Sequence, residues 1–306
     1  MSTSTLTIDR REVTWLTRLA DYAELTKAKI AILILVTVVV AGVVSTWGQP
    51  EPIVLMHAVL GTMLVASSAS AMNQWIERRS DALMTRTENR PVPAGRISAL
   101  EVFITSLVLL LGGVIYLAWA VNWVATAWAI ATWVLYVCVY TPMKRYTWLN
   151  TVVGAVAGAM PILIGASAVS DVSRISYDLR SASLFAILFL WQFPHFMAIA
   201  WIYRQQYANA GLKMLTVVDP TGRRAGVQAV LCASMLLPVS FMPALIVPSV
   251  NSAFYLVVAF VLGIAQLACA MRFLIRMDSS SARLLLRASL IYLPLLFIFL
   301  VCIPLL

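Results

Sequence analysis

Charge is scarce in this sequence: 11% of its 306 residues are Asp, Glu, Lys or Arg, where a soluble domain carries about a quarter. With 61% hydrophobic residues and a mean hydropathy of +0.89, this excludes an ordinary water-soluble fold. A polytopic membrane protein remains. Histidine is nearly absent, with His57 and His195 the two present. Cysteine is sparse as well: Cys138, Cys232, Cys269 and Cys302 each lie inside an apolar run, with no CxxC or other metal-binding spacing. That argues against a cysteine metal site and leaves them as small buried hydrophobes, silent on redox compartment. The first residues have no apolar core behind a basic start, so a cleavable signal peptide is not expected. Asp9, Glu12, Asp21 and Glu24 argue against a transit peptide. Residues 1–27 read as a cytosolic lead whose later part, with Trp15, Leu16 and Leu19, suits an interfacial helix.

What is present is long apolar runs. A helix needs roughly 20 such residues to cross a bilayer. Nine runs qualify, near 28–47, 53–72, 98–119, 122–140, 149–169, 183–202, 226–247, 251–271 and 285–306. The expected fold is an all-α membrane domain of nine transmembrane helices over 28–306, with a cytosolic N-terminus. Of the 22 Lys and Arg, all except Arg174 and Arg180 fall in the N-terminal lead or in the loops after even-numbered spans. By the positive-inside rule those loops are cytosolic. The net charge of +9 is thereby explained by topology, and nucleic acid is not expected as a partner.

The loop after the second span begins NQWIERRSD. Asn73, Glu77 and Asp81 follow one another at spacing four, which places three oxygen-bearing side chains on one helix face. Two carboxylates on one face repel unless something positive lies between them, and hard oxygen donors beside a diphosphate are the usual setting for Mg²⁺. A bland alternative is a solvated helix end with the acids paired to Arg78, Arg79 or Arg86. The segment continues ALMTRTENRPVPAGRIS, in which Arg86, Arg90 and Arg96 are bidentate phosphate donors. Pro91 and Pro93 are expected to end the helix and stiffen the loop. The whole stretch reads as a metal–diphosphate site.

Other polar residues are more ambiguous. Lys144 and Arg145, next to Thr141 and Tyr146, suit a phosphate-neutralising patch or simple membrane anchoring. Gly154, Gly158, Ala155 and Ala159 have small-residue spacing for close helix packing, and Pro161 with Gly165 suggests a bend. His195, in WQFPHF, sits where a hydrogen-bonded core histidine is the commoner outcome. His57 has no polar company in the sequence, and no role is assigned to it.

NQWIERRSDALMTRTENRPVPAGR resembles the first signature of the UbiA superfamily of intramembrane prenyltransferases, in the form carried by the haem O synthases. YTPMKRYTWLNTVVGAVAGAMPILIGA (140–166) and WQFPHFMAIAWIYRQQYANAGLKMLTVV (191–218) are similar to further segments of that family. LTKAKI resembles its first-span start, with Ala28 where the family commonly has Pro. The resemblance implies farnesyl transfer from farnesyl diphosphate to the vinyl group of haem B, with water addition, to give haem O for cytochrome oxidase biogenesis. It implies Mg²⁺ on Asn73, Glu77 and Asp81. Diphosphate would be neutralised by Arg86, Arg90, Lys144, Arg145, Arg204 and Lys213, with Lys144 and Tyr207 also in the catalytic set, and His195 is a candidate haem ligand. The expected setting is a bacterial plasma membrane with the site facing the cytosol, and a haem A synthase or oxidase assembly factor as a possible partner. One position departs from the family: Gln206 stands where an Asp of a second acidic motif is expected. Either the second metal is held weakly, or Asp219 substitutes, or one Mg²⁺ suffices. The competing readings are another UbiA-type aromatic or tetrapyrrole prenyltransferase, a transporter, and a non-catalytic oxidase assembly factor. The charged residues crowd at one rim and leave the spans nearly uncharged, which disfavours the transporter.

Overall fold

In hydrocarbon a backbone must satisfy its own hydrogen bonds, and a helix does so within one segment. The computed structural model describes residues 15–169, 179–246 and 252–305, and within them every regular element is helical. Helix α1 spans Trp15–Leu25, α2 Ala28–Ser45, α3 Pro52–Asp81, α4 Ala99–Ala120 and α5 Trp123–Val134. Helix α5 runs through a π-helical turn, Leu135–Tyr140, into the short α6, Thr141–Met143. Then come α7 (Asn150–Ala159), α8 (Pro161–Val169), α9 (Leu179–Ile202), α10 (Arg204–Asn209) and α11 (Leu215–Val218). The chain closes with α12 (Arg223–Val239), α13 (Met242–Ile246), α14 (Ser252–Arg276) and α15 (Ser279–Leu305).

Among the described residues eight helices are long and apolar enough to cross a membrane. There are nine if Trp15–Leu25 and Ile30–Ser45, bent by 54° at their junction, count as one. The close third and fourth runs are separate helices. Asn122 divides them by accepting the Ala125 amide on its side chain at 2.8 Å, a helix cap placed directly after α4. Helix α3 outruns its apolar stretch and ends at Asp81, ten residues before Pro91, so the prolines stiffen the loop without terminating the helix. The predicted break in the fifth run falls at Met160, where α7 gives way to α8 at Pro161.

Close packing depends on small residues, as the sequence suggested. A methyl group on Gly158 would meet the Gln192 amide on α9, and one on Gly165 would meet the backbone carbonyl of Val38 on α2. Gly113 on α4 lets that helix approach the Leu64–Val65 stretch of α3. Bulkier residues there would hold the helices apart.

Helix α1 exposes Trp15, Leu16 and Leu19 and ties its other side to the first turn of α4 and to the loop before it. Arg18 and Tyr22 reach Glu101 at 3.0 and 2.6 Å, and Arg96 reaches Asp21 and Glu24 at 2.7 and 3.1 Å. Gln74 of α3 donates to the carbonyls of Glu24 and Leu25 at 3.1 and 3.0 Å, which fixes where the chain turns into α2.

Candidate functional site

The last two turns of α3 carry Asn73, Glu77 and Asp81 along one buried face. A cation from a different part of the chain meets each. Lys27, between α1 and α2, donates its ammonium to Asn73 Oδ1 at 2.9 Å. Lys144, at the end of α6, lies 2.8 Å from Glu77 Oε1. Arg90, in the loop after α3, lies 2.7 Å from Asp81 Oδ2. The amide of Asn73 cannot turn freely, because its Nδ2 donates to Thr141 Oγ1 at 3.1 Å and Thr141 donates in turn to the Tyr136 carbonyl at 2.8 Å. That carbonyl lies in the π-helical turn, a local widening common near functional sites.

These groups line a cavity of about 250 Å³. Its polar wall has four cations, Lys27, Arg86, Arg90 and Lys144, against two carboxylates, Glu77 and Asp81. Tyr136, Tyr140 and Tyr207 form another part, and Phe196, Ile199 and Ala200 of α9 supply apolar surface. Lys144 also lies over the Tyr140 ring at 4.5 Å. Burial disfavours its ammonium, yet its pKa lies above the ordinary lysine value, with the Glu77 carboxylate the strongest opposing influence. A wall with this charge excess is built to hold an anion.

Arg86 is held by four contacts. Its guanidinium lies over the rings of Tyr203 and Tyr207, at 4.6 and 5.6 Å, and donates to the Tyr207 hydroxyl at 3.2 Å. Its backbone amide donates to Gln206 Oε1 at 3.3 Å. Gln206 is therefore engaged with the loop and is not part of the cavity wall. Asp219, weighed as a replacement acid, caps α12: it accepts from the Thr221 hydroxyl at 2.6 Å and from the Arg224 amide at 2.9 Å. Those bonds hold its carboxyl below the ordinary range.

The sequence-predicted residues thus divide. Asn73, Glu77, Asp81, Arg86, Arg90, Lys144 and Tyr207 meet in one cavity. Arg145 and Lys213 are exposed and outside its wall, although the Lys213 backbone amide donates to the Lys144 carbonyl. Arg204 lies over the Trp201 ring at 4.1 Å, also outside the wall. Arg96 faces α1 instead of the cavity. His195 bonds Ser289 Oγ of α15 at 2.9 Å and stacks on Trp191, away from the cavity wall. Sequence reasoning passed over Lys27, which it counted only towards topology. The signal available was its place at the very start of the first apolar run.

All three α3 donors are hard oxygens, a set suited to a divalent ion such as Mg²⁺ with a phosphate ligand completing the coordination. Among the described residues no group of three His, Cys, Asp or Glu forms a self-sufficient metal cage.

The profile of the UbiA prenyltransferase family matches residues 34–301. A protoheme IX farnesyltransferase of Solibacter usitatus is 41% identical over 290 residues, covering 90% of this chain and 96% of that protein. A protein of the same name from Koribacter versatilis is 42% identical, covering 91% of each. Among solved structures, a UbiA homologue from Archaeoglobus fulgidus bound to GPP and Mg²⁺ superimposes with a TM-score of 0.69 at 16% identity, covering 94% of this chain and all of that one.

Proposed function

The chain belongs to the UbiA prenyltransferase family, and from that premise we propose that it transfers farnesyl from farnesyl diphosphate to the vinyl group of haem B, with addition of water, to give haem O. The names of its relatives support the acceptor and donor. The observation that carries the reading is the cavity wall, in which four cations face two carboxylates on a three-oxygen helix face. That combination suits a diphosphate accompanied by a divalent ion.

Asn73, Glu77 and Asp81 are the residues that would hold Mg²⁺, whose contribution when bound is to neutralise charge on the leaving diphosphate. Arg86, Arg90 and Lys144 bind the diphosphate oxygens and stabilise them as the bond to the allylic C1 breaks and its electron pair passes to oxygen. Tyr207 fixes Arg86 for that task. The electron-rich vinyl group attacks C1, and water captures the resulting cation beside the porphyrin and gives up a proton. The apolar surface of Phe196 and Ile199 limits earlier access of water to the C1 cation. Arg145, Arg204 and Lys213 lie outside the wall, so we assign them to the approach of the anion. His195, bonded to Ser289 of α15 and stacked on Trp191, lies outside the wall, so we assign it to holding α9 against α15 rather than to haem.

The bacterial relatives favour a plasma membrane setting, the charge distribution favours a cytosolic diphosphate end, and the exposed Trp15, Leu16 and Leu19 favour residues 1–27 as a lead whose helix lies in the interface. The same reading makes a haem A synthase or an oxidase assembly factor the natural recipient of haem O. The test is to incubate membranes containing the protein with haem B, farnesyl diphosphate and Mg²⁺, with and without EDTA, and to analyse extracted haem by mass spectrometry. The expected product is heavier by one farnesyl and one water and is lost with EDTA. Unchanged haem B from folded protein would overturn the assignment.

A further inference from the structure

Of the cations on the α3 oxygens, Lys27 is placed most unusually. Its partner, Asn73 Oδ1, is neutral, whereas Lys144 and Arg90 face carboxylates. Its backbone has φ of 50° and ψ of 51°, a left-handed conformation that a lysine rarely adopts. Such a conformation persists where the surroundings enforce it. Here they do so through the Gln74 bonds to the carbonyls of Glu24 and Leu25, and through the Lys27 amide bond to the Glu24 carbonyl at 3.1 Å. The fold thus holds a positive charge against a neutral ligand oxygen, next to a cavity already rich in positive charge.

We propose that Lys27 is an exchangeable counter-ion: it occupies Asn73 Oδ1 while the site is empty of ligands and moves to a diphosphate oxygen when metal and diphosphate bind together. This rests on the diphosphate reading of the cavity given above. A divalent ion arriving alone must displace Lys27 from Asn73 Oδ1 and adds its charge to a wall of four cations. A diphosphate gives the displaced ammonium a new partner. Each ligand therefore favours the other, and by linkage the effect is reciprocal. Lys27 is the cation to make this exchange because its bonded partner is a neutral amide oxygen, whereas Lys144 and Arg90 are paired directly to carboxylates.

The account predicts opposite changes in two affinities of one variant. The full chain, purified in lipid nanodiscs, is titrated calorimetrically with Mg²⁺ alone, with inorganic pyrophosphate alone, and with each in the presence of the other. Lys27→Met should bind Mg²⁺ alone more tightly than wild type and pyrophosphate with Mg²⁺ more weakly. The coupling factor should fall by about tenfold, within the range usual for linked sites. Association of Mg²⁺ with pyrophosphate in solution is common to both proteins and drops out of the comparison. Lys27→Arg should restore the coupling. If Lys27→Met does not fold, Lys27→Gln carries the same expectation. Wild-type coupling in the folded neutral variant, or both affinities weakened together as a structural defect would do, overturns this proposal alone. Failure of wild type to bind Mg²⁺ and pyrophosphate together overturns it along with the diphosphate reading.

Discussion

The pair Glu77–Lys144 can be dissected by a double-mutant cycle that separates its part in stability from its part in chemistry. The two groups lie 2.8 Å apart with side chains 10% and 11% exposed, so neither charge is well solvated without the other. Glu77→Gln leaves the Lys144 ammonium facing a neutral amide, and Lys144→Met leaves the Glu77 carboxylate without its nearest cation. Removing one member of a buried pair costs about 3–5 kcal/mol, and each single variant should lose stability on that scale. Replacing both leaves no uncompensated charge, and neutral substitutes for a buried pair are often close to the original in stability. The double variant should therefore recover most of the loss, as read by denaturant unfolding of all four proteins in one detergent. Haem O formation should stay abolished in all three variants, because the proposed chemistry needs both charges. Single variants as stable as wild type, or a double variant no better than the worse single, would refute the reasoning.

Stability of the pair should not vary with pH in the neutral range. Because the folded-state pKa of Lys144 is raised above its unfolded value of 10.5, its contribution is fully present below that value and fades only as pH rises through the folded pKa. Melting curves of wild type relative to the Glu77→Gln/Lys144→Met protein should keep the same offset at pH 7 and pH 9. Gln206→Asp should leave the Mg²⁺ concentration for half-maximal rate unchanged, since Gln206 Oε1 accepts from the Arg86 amide outside the cavity wall; a fall in that concentration, measured by metal titration of turnover, would place the residue at the metal after all. Gly165→Ala should destabilise the α2–α8 contact by about 1–3 kcal/mol, the usual cost of overpacking, because its methyl meets the Val38 backbone rather than a movable side chain; denaturant unfolding measures it. His195→Ala should lower the melting temperature by removing the bond to Ser289 between α9 and α15 and leave the KM for both substrates unchanged, as melting curves and steady-state kinetics with each substrate varied would record.

The sequence carried the oxygen-bearing face of α3 in full, because spacing four along a helix is a local property and the chain from Pro52 to Asp81 is a single helix. It carried Arg86 and Arg90 for a similar reason, as they follow that face within one loop. The choice among the remaining cations was not legible. Lys144 and Arg145 are neighbours, yet one turns to Glu77 and the other to the surface, which depends on where α6 ends. Lys27 reaches the site through a bend and a left-handed residue that no periodicity encodes. The π-helical turn that presents the Tyr136 carbonyl to Thr141 lies inside the apolar run 122–140, whose hydropathy carries no mark of it. The helix boundaries drifted where polar residues continue a helix beyond its apolar run, as at α3 and at the start of α15, which begins at Ser279 rather than near 285.

The central claim is that the oxygen face of α3 is where diphosphate departure is catalysed. Asp81→Asn tests it most directly, since it removes one charge while Arg90 keeps an oxygen partner of the same shape. The measurement is the rate of haem O formation from haem B and farnesyl diphosphate at saturating Mg²⁺, in protein shown by its melting curve to be folded. A fall of about 10²–10³-fold, the scale on which loss of electrostatic stabilisation acts, is predicted. A folded Asp81→Asn protein that keeps more than about a tenth of the rate, far above that range, would contradict the account.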